Sequence, residues 1–141
     1  MFSKTNLIST LVTGLWAFLG GWLLWGMLGD PILKDHVVTP GIMKPEPDMV
    51  HLIIGCFAMA FAFSTIYSKW ARGHHSVSQG LQYGLWLGIL SGLGEGLIDY
   101  STANLLDITG TFINAVIYIL FYGIMGALAS MIYGKYGAKE S

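Results

Sequence analysis

The chain has 141 residues, of which 54% are hydrophobic and 11% are charged, and its formal net charge is −1. Ordinary globular domains carry roughly 25% charged residues, so this composition excludes a conventional soluble surface and indicates one that faces lipid. The small net charge argues against nucleic acid as a partner, because phosphate binding requires a basic face. A single cysteine, Cys56, excludes an intrachain disulfide.

Four apolar segments are long enough to cross a bilayer, which takes about 20 helical residues. They are residues 7–28, 49–67, 79–100 and 111–133. The first is too long for the hydrophobic part of a signal peptide, so we expect a retained helix. Backbone groups in lipid must be satisfied within each segment, which requires helices. The sequence therefore predicts an all-α membrane protein, with residues 1–141 forming one transmembrane domain folded as an up-down bundle of four helices.

Short polar motifs mark the predicted helix ends. Gly29 follows the first apolar segment, where a glycine commonly ends a helix in a left-handed turn. Asp48, Ser78 and Thr109 precede the next three helices as candidate N-caps. All four prolines lie in residues 29–48, which we expect to form the one long loop, on the outer side of the membrane.

The basic residues predict the orientation of the bundle, because cytoplasmic loops carry an excess of lysine and arginine. Five lie on the side of the chain termini and two on the opposite side. The first group is Lys4, Lys69, Arg72, Lys135 and Lys139, and the second is Lys34 and Lys44. We therefore expect both the N-terminus and the C-terminus in the cytoplasm.

The third helix carries a glycine at every fourth position: Gly80, Gly84, Gly88, Gly92 and Gly96. Helices associate in lipid through close backbone approach, which small residues permit. This glycine ladder predicts that the third helix is the central packing helix. Its neighbour would be another helix of this chain or of a second copy.

Ionisable side chains within a bilayer are costly, and each is therefore a candidate functional group. The best candidate is Glu95, with Asp99 one helical turn further out on the same face. Polar residues at a similar depth on the other helices complete a hypothetical outward-facing vestibule that closes at Glu95. The candidate polar or ion-site residues are Glu95, Asp99, His51, Ser91, Asn114 and Tyr118. Under the structural alternative, a protonated Glu95 only locks neighbouring helices together, and His51 is an interfacial residue.

The sequence contains no arrangement of a nucleophile with a base and no metal-ligand spacing, so we predict no enzyme, no catalytic residue, no metal and no cofactor. An intramembrane enzyme would be supported only by carboxylates near His51.

Three motifs carry a resemblance to a known kind of protein. They are Gly20-Gly21-Trp22-Leu23-Leu24-Trp25-Gly26, the loop end Pro45-Glu46-Pro47-Asp48-Met49, and Asp107-Ile108-Thr109-Gly110. Over nearly the whole chain, the pattern resembles small four-helix bacterial membrane proteins of unknown function, of a sort common in Bacteroidetes. The resemblance implies a multi-pass protein of the bacterial inner membrane and no catalytic residue.

Two functional hypotheses follow from these features. In the first, the protein acts through helix–helix association, as a homo-oligomer or as an accessory subunit of a membrane complex, with lipid and other membrane subunits as its partners. In the second, it is a transporter or channel for protons, cations or a small solute that uses Glu95 and Asp99.

Overall fold

The computed structural model describes residues 2–137, which form four helices and no β-strand and thus confirm the all-α prediction. Helix α1 consists of four consecutive segments, Lys4–Gly21, Trp22–Gly29, Asp30–Leu33 and Lys34–His36. Helix α2 is Met49–Ala71. Helix α3 comprises Val77–Gly88, Ile89–Glu95 and Gly96–Thr102, and α4 is Ile108–Tyr136. The stretches Trp22–Gly29 and Ile89–Glu95 are π-helical.

Three of the described helices are long and apolar enough to cross a membrane: α1, α2 and α4. Helix α3 is not among them, although at ~1.5 Å per residue its length would cross a hydrocarbon core of ~30 Å. Its glycines, glutamines and two carboxylates, Glu95 and Asp99, make it the least apolar of the four.

Helix α1 does not end at Gly29, so the predicted loop 29–48 begins too early. Gly29 has helical dihedral angles, φ −77° and ψ −41°, rather than left-handed ones. A Cβ on Gly29 would lie 2.7 Å from the Leu24 carbonyl oxygen and 3.1 Å from Ile117 Cδ1. The glycine therefore allows close packing against α4. Pro31 lies two residues after the π-helical stretch, within the continuous helix, and donates no backbone hydrogen bond to the preceding turn.

The N-cap prediction is confirmed for α2 and wrong by two residues for the next two helices. Asp48 accepts a hydrogen bond from the His51 N–H at 3.2 Å. Helix α3 is capped by Ser76 rather than Ser78, and α4 by Asp107 rather than Thr109. Both helices begin earlier than the apolar pattern suggests, because the earlier side-chain oxygens reach the free N–H groups of the first turn.

Helix α4, rather than α3, has the most neighbours. It packs against α1 and α3 and touches α2, while α3 packs mainly on α4. The prediction that α3 is central is therefore wrong, since a single glycine face provides one close neighbour and not several. Helices α1 and α4 are antiparallel, as two hydrogen bonds between them show. Trp16 Nε1 donates to the Phe121 carbonyl oxygen, and further along α1 Trp25 Nε1 donates to Asn114, which precedes Phe121 in α4.

The two ends of the bundle are built differently. At the end that carries the chain termini, here called the termini end, aromatic rings join α2, α3 and α4. Tyr83 donates to the Phe63 carbonyl oxygen at 3.0 Å, and its ring meets that of Tyr67. Toward the other end α2 diverges, and residues 49–55 are all exposed.

The end opposite the chain termini is closed by two short segments, 36–39 and 104–107, here called the strap. The Val38 N–H donates to the Leu105 carbonyl oxygen, and the Asp107 N–H donates to the His36 carbonyl oxygen, each at 2.9 Å. The His36 ring also lies 2.9 Å from the Asp107 carboxylate. The strap ties the end of α1 to the start of α4.

Candidate functional site

All five glycines of the ladder face α4. A Cβ on Gly88 would lie 2.5 Å from Ile119 Cα, and one on Gly92 would lie 2.9 Å from Ala115 Cα. On Gly84 it would overlap the Tyr122 carbonyl oxygen. Because the atoms met here are mostly backbone, no side chain can move to make room. The ladder is therefore occupied within this chain.

The π-helical stretch Ile89–Glu95 explains how glycines four residues apart stay against one helix. An α-helix with 3.6 residues per turn rotates each fourth residue forward by ~40°, so four such steps would carry Gly96 about 160° away from Gly80. A π-helix closes its hydrogen bonds from residue i+5 to residue i, so its wider turn offsets this drift. The same stretch turns Glu95 away from the glycine face.

Glu95 is exposed, and so is Asp99 one turn further along. The face of α3 that carries these carboxylates is therefore uncovered, in contrast to what a central packing helix requires. Tyr118 of α4 lies within electrostatic range of both carboxylates. One turn nearer the termini end, Ser91 lies beside Tyr122, whose hydroxyl donates to Met59 Sδ of α2 at 3.3 Å. The Tyr118 and Tyr122 rings stack with centroids 6.2 Å apart, so two tyrosines of α4 adjoin the carboxylate half of α3.

A small cavity beside the strap brings Asp99 and Asn114 together. It has a volume of about 80 Å³ and is lined by Gly96, Asp99, Tyr100, Leu105, Leu106, Thr111 and Asn114. Asn114 Oδ1 accepts a hydrogen bond from Trp25 Nε1 at 2.7 Å. The Trp25 ring meets the Tyr118 ring edge to face, with ring centroids 4.8 Å apart. Asn114 and Tyr118 are thus both held by the same tryptophan.

The structure does not bring His51 to this group. Its Nδ1 lies 2.6 Å from Asp48 Oδ2, and its side chain is 81% exposed. The His51 hydrogen bonds lower the pKa of Asp48. Because α2 diverges at this end, His51 forms a capping pair with Asp48, whereas Ser91, Glu95, Asp99, Asn114 and Tyr118 share the α3–α4 hairpin.

A buried polar core at the termini end escaped the sequence analysis. Tyr133 donates to Asn6 Oδ1 at 3.0 Å, and Asn6 Nδ2 donates to Thr65 Oγ1 at 3.0 Å. The Ser9 and Ser64 hydroxyls lie 2.9 Å apart, and both are fully buried. Polar residues at positions 6, 9 and 13 of α1 share one helical face, and this spacing was the available signal. Such hydroxyls hold membrane helices together.

Within residues 2–137, no group of three or more histidine, cysteine, aspartate or glutamate side chains is close enough to hold a metal ion.

Comparison with known proteins returned no similarity from which a family or a function follows. No protein-family model, no curated protein and no solved structure matches this chain. The resemblance to small four-helix bacterial membrane proteins therefore stays an expectation from the sequence.

Proposed function

We propose that this is an integral protein of the bacterial inner membrane that works, without catalysis, through association of its helices with further membrane helices. The chain would cross the membrane four times, as a homo-oligomer or as an accessory subunit. Support for the fourth crossing comes from α3, which runs antiparallel to the membrane-compatible α4 along its length.

The distribution of cations supports placing both chain termini in the cytoplasm. Four described cations lie at the termini end and two near the strap: Lys4, Lys69, Arg72 and Lys135 against Lys34 and Lys44. Lys139, which also entered the sequence prediction, lies outside the described residues.

The observation that carries the proposal is the exposure of Glu95. The glycine face of α3 is occupied by α4, while the face that bears Glu95 is uncovered. A charged side chain costs about 2.5–3.5 kcal/mol at the centre of a spanning helix on insertion scales, and this is an upper bound for Glu95, which lies on the strap half of α3. A neighbouring helix that offers a hydroxyl, an amide or a cation would offset this cost. Residues 49–55 of α2, at the same end of the bundle, are exposed as well, so they do not cover Glu95.

The proposal is tested by substitution of Glu95 in protein purified from native membranes in mild detergent. Glu95→Leu removes both the charge and the hydrogen-bonding capacity and leaves the helix more apolar, so membrane insertion is not impaired. We expect the wild type to purify as a defined oligomer or with a stoichiometric partner, and Glu95→Leu to lose that association at least about tenfold, equivalent to ~1.4 kcal/mol.

Glu46→Leu is the matched control, because Glu46 is exposed in the loop between α1 and α2. This variant should leave the assembly unchanged. A monomeric wild type without a partner, or an assembly that survives Glu95→Leu, would overturn the proposal.

A second candidate function is transport of protons, cations or a small solute past Glu95 and Asp99. It is favoured by the row of polar side chains, Ser91, Tyr118 and Asn114, that adjoins these carboxylates on the α3–α4 hairpin. In reconstituted vesicles, Glu95→Gln should then abolish flux while the assembly keeps its mass. Equal flux through the wild type and Glu95→Gln would refute this candidate.

A further inference from the structure

A groove runs between α3 and α4 on the surface of the bundle. Its volume is about 390 Å³, and it is lined by Ser78, Leu81, Gln82, Leu85, Ile119, Leu120, Gly123 and Ile124. The volume lies within the range of sites that hold small ligands, about 300–1,000 Å³. A Cβ built on Gly123 meets nothing within 4 Å. The groove is therefore wide at this glycine and open toward the surrounding lipid.

The polar residues of the groove lie at one of its ends, the one nearer the termini end of the bundle. Ser78 and Gln82, its polar residues, lie in the first turns of α3 at the termini end, and the remaining lining is aliphatic apart from Gly123. On α4, Ile124, Met131 and Lys135 follow at intervals of seven and four residues, which places them on one helix face. The exposed Lys135 thus lies on the same face as the groove, about three turns nearer the termini end.

The charge at the termini end favours an anionic headgroup. Every carboxylate among residues 2–137 lies at Glu95 or closer to the strap, whereas the exposed Lys4, Lys69, Arg72 and Lys135 lie at the opposite end. Clustered cations next to a membrane helix attract anionic lipid, and each contributes about 1 kcal/mol near the surface.

The walls of the groove fit a thin chain better than a further helix. Membrane helices pack through small residues, and those of α3 are already in contact with α4. The groove walls are large branched side chains that remain partly exposed, such as Leu81 at 46% and Leu120 at 52%. Apart from Gly123, they offer branched side chains rather than backbone to an approaching helix.

We propose that this groove binds an acyl chain of an anionic phospholipid from the leaflet at the termini end, with the headgroup beside Lys135. The aliphatic side chains contact the acyl chain, and Ser78 and Gln82 face the ester region. The site is independent of the Glu95 face, which lies on the strap half of α3.

Binding is measured on the full-length protein in detergent. Dioleoyl phosphatidylglycerol or dioleoyl phosphatidylcholine is added, retained lipid is counted by native mass spectrometry, and the thermal unfolding midpoint is recorded. We expect phosphatidylglycerol to be retained and to raise the midpoint more than phosphatidylcholine. Gly123→Leu fills the groove and should abolish both effects. Gly55→Leu, at an equally open glycine of α2, should preserve them.

Lys135→Gln tests the headgroup separately. Loss of one cation worth about 1 kcal/mol should weaken the preference for phosphatidylglycerol about fivefold, and Lys34→Gln at the strap end should not change it. If Gly123→Leu fails to fold, Gly123→Ala is used in its place and should lose part of the retained lipid.

Full retention of lipid in Gly123→Leu or Gly123→Ala, or equal retention of the two lipids by the wild type, would overturn the assignment. So would a change of oligomer mass in Gly123→Leu without loss of lipid, because a second copy would then occupy the groove.

Discussion

Replacing Gly88 with alanine should destabilise the bundle, because the glycine ladder holds α3 against α4 at backbone distance. The added Cβ would lie 2.5 Å from Ile119 Cα. Carbon atoms in contact lie about 3.5–4.0 Å apart, so the two helices must separate locally by about 1 Å. A gap of that size forfeits about a quarter to a half of the dispersion energy of the atoms around it. Overpacking of this kind typically costs about 1–3 kcal/mol.

The matched control is Gly123→Ala, because a Cβ on Gly123 meets nothing within 4 Å. Alanine within a helix is favoured over glycine by about 0.5–1 kcal/mol, so this variant should equal or exceed the wild type in stability. The free energy of unfolding is measured for both variants in mixed micelles titrated with denaturing detergent. Both sites are helical, so this preference cancels in the comparison, and the expected difference between the variants is the overpacking cost of about 1–3 kcal/mol.

Both substitutions add one methyl group to the α3–α4 hairpin, so the difference in the free energy of unfolding between the two variants reports on the close contact at Gly88. If Gly88→Ala unfolds at the same detergent fraction as Gly123→Ala, the ladder does not set the distance between α3 and α4. The account of the π-helical stretch would then fail with it.

Two further predictions concern the strap end. Trp25→Phe removes the hydrogen bond to Asn114 and should lower the free energy of unfolding by about 0.5–1.5 kcal/mol. Trp22→Phe, at a residue that is 64% exposed, should leave the free energy of unfolding unchanged. Equal losses in the two variants would contradict the role of the hydrogen bond. Hydrogen bonds from the Gly110 N–H and, to a lesser extent, from the His36 ring lower the pKa of Asp107 from 3.8. The contribution of the Asp107 carboxylate to stability is therefore present above about pH 4 and is lost as the pH falls through the folded-state pKa. Thermal unfolding midpoints recorded against pH should therefore drop in acid for the wild type and less for Asp107→Asn, and identical profiles would refute this linkage.

The α3 glycines show where prediction from the sequence stops. A four-residue period requires a close neighbour, and this much follows from composition and helix geometry. The identity of that neighbour depends on which helices lie side by side, and only the packed bundle selected α4. Whether Glu95 points with the glycines or away from them depends on the π-helical hydrogen-bond register of Ile89–Glu95, which packing imposes.

The sequence alone determined the all-α fold and the membrane character of α1, α2 and α4, because apolar length and internal hydrogen bonding are local properties of a segment. It also determined the Asp48 cap, which needs only residues three positions apart. Tertiary structure decided that α1 continues through Gly29, where close packing against Ile117 replaces the expected helix end. It also decided that His51 lies away from Glu95, since the divergence of α2 is set by its neighbours. Contacts between residues distant in the chain depend on the packing of several helices at once, which no single segment encodes.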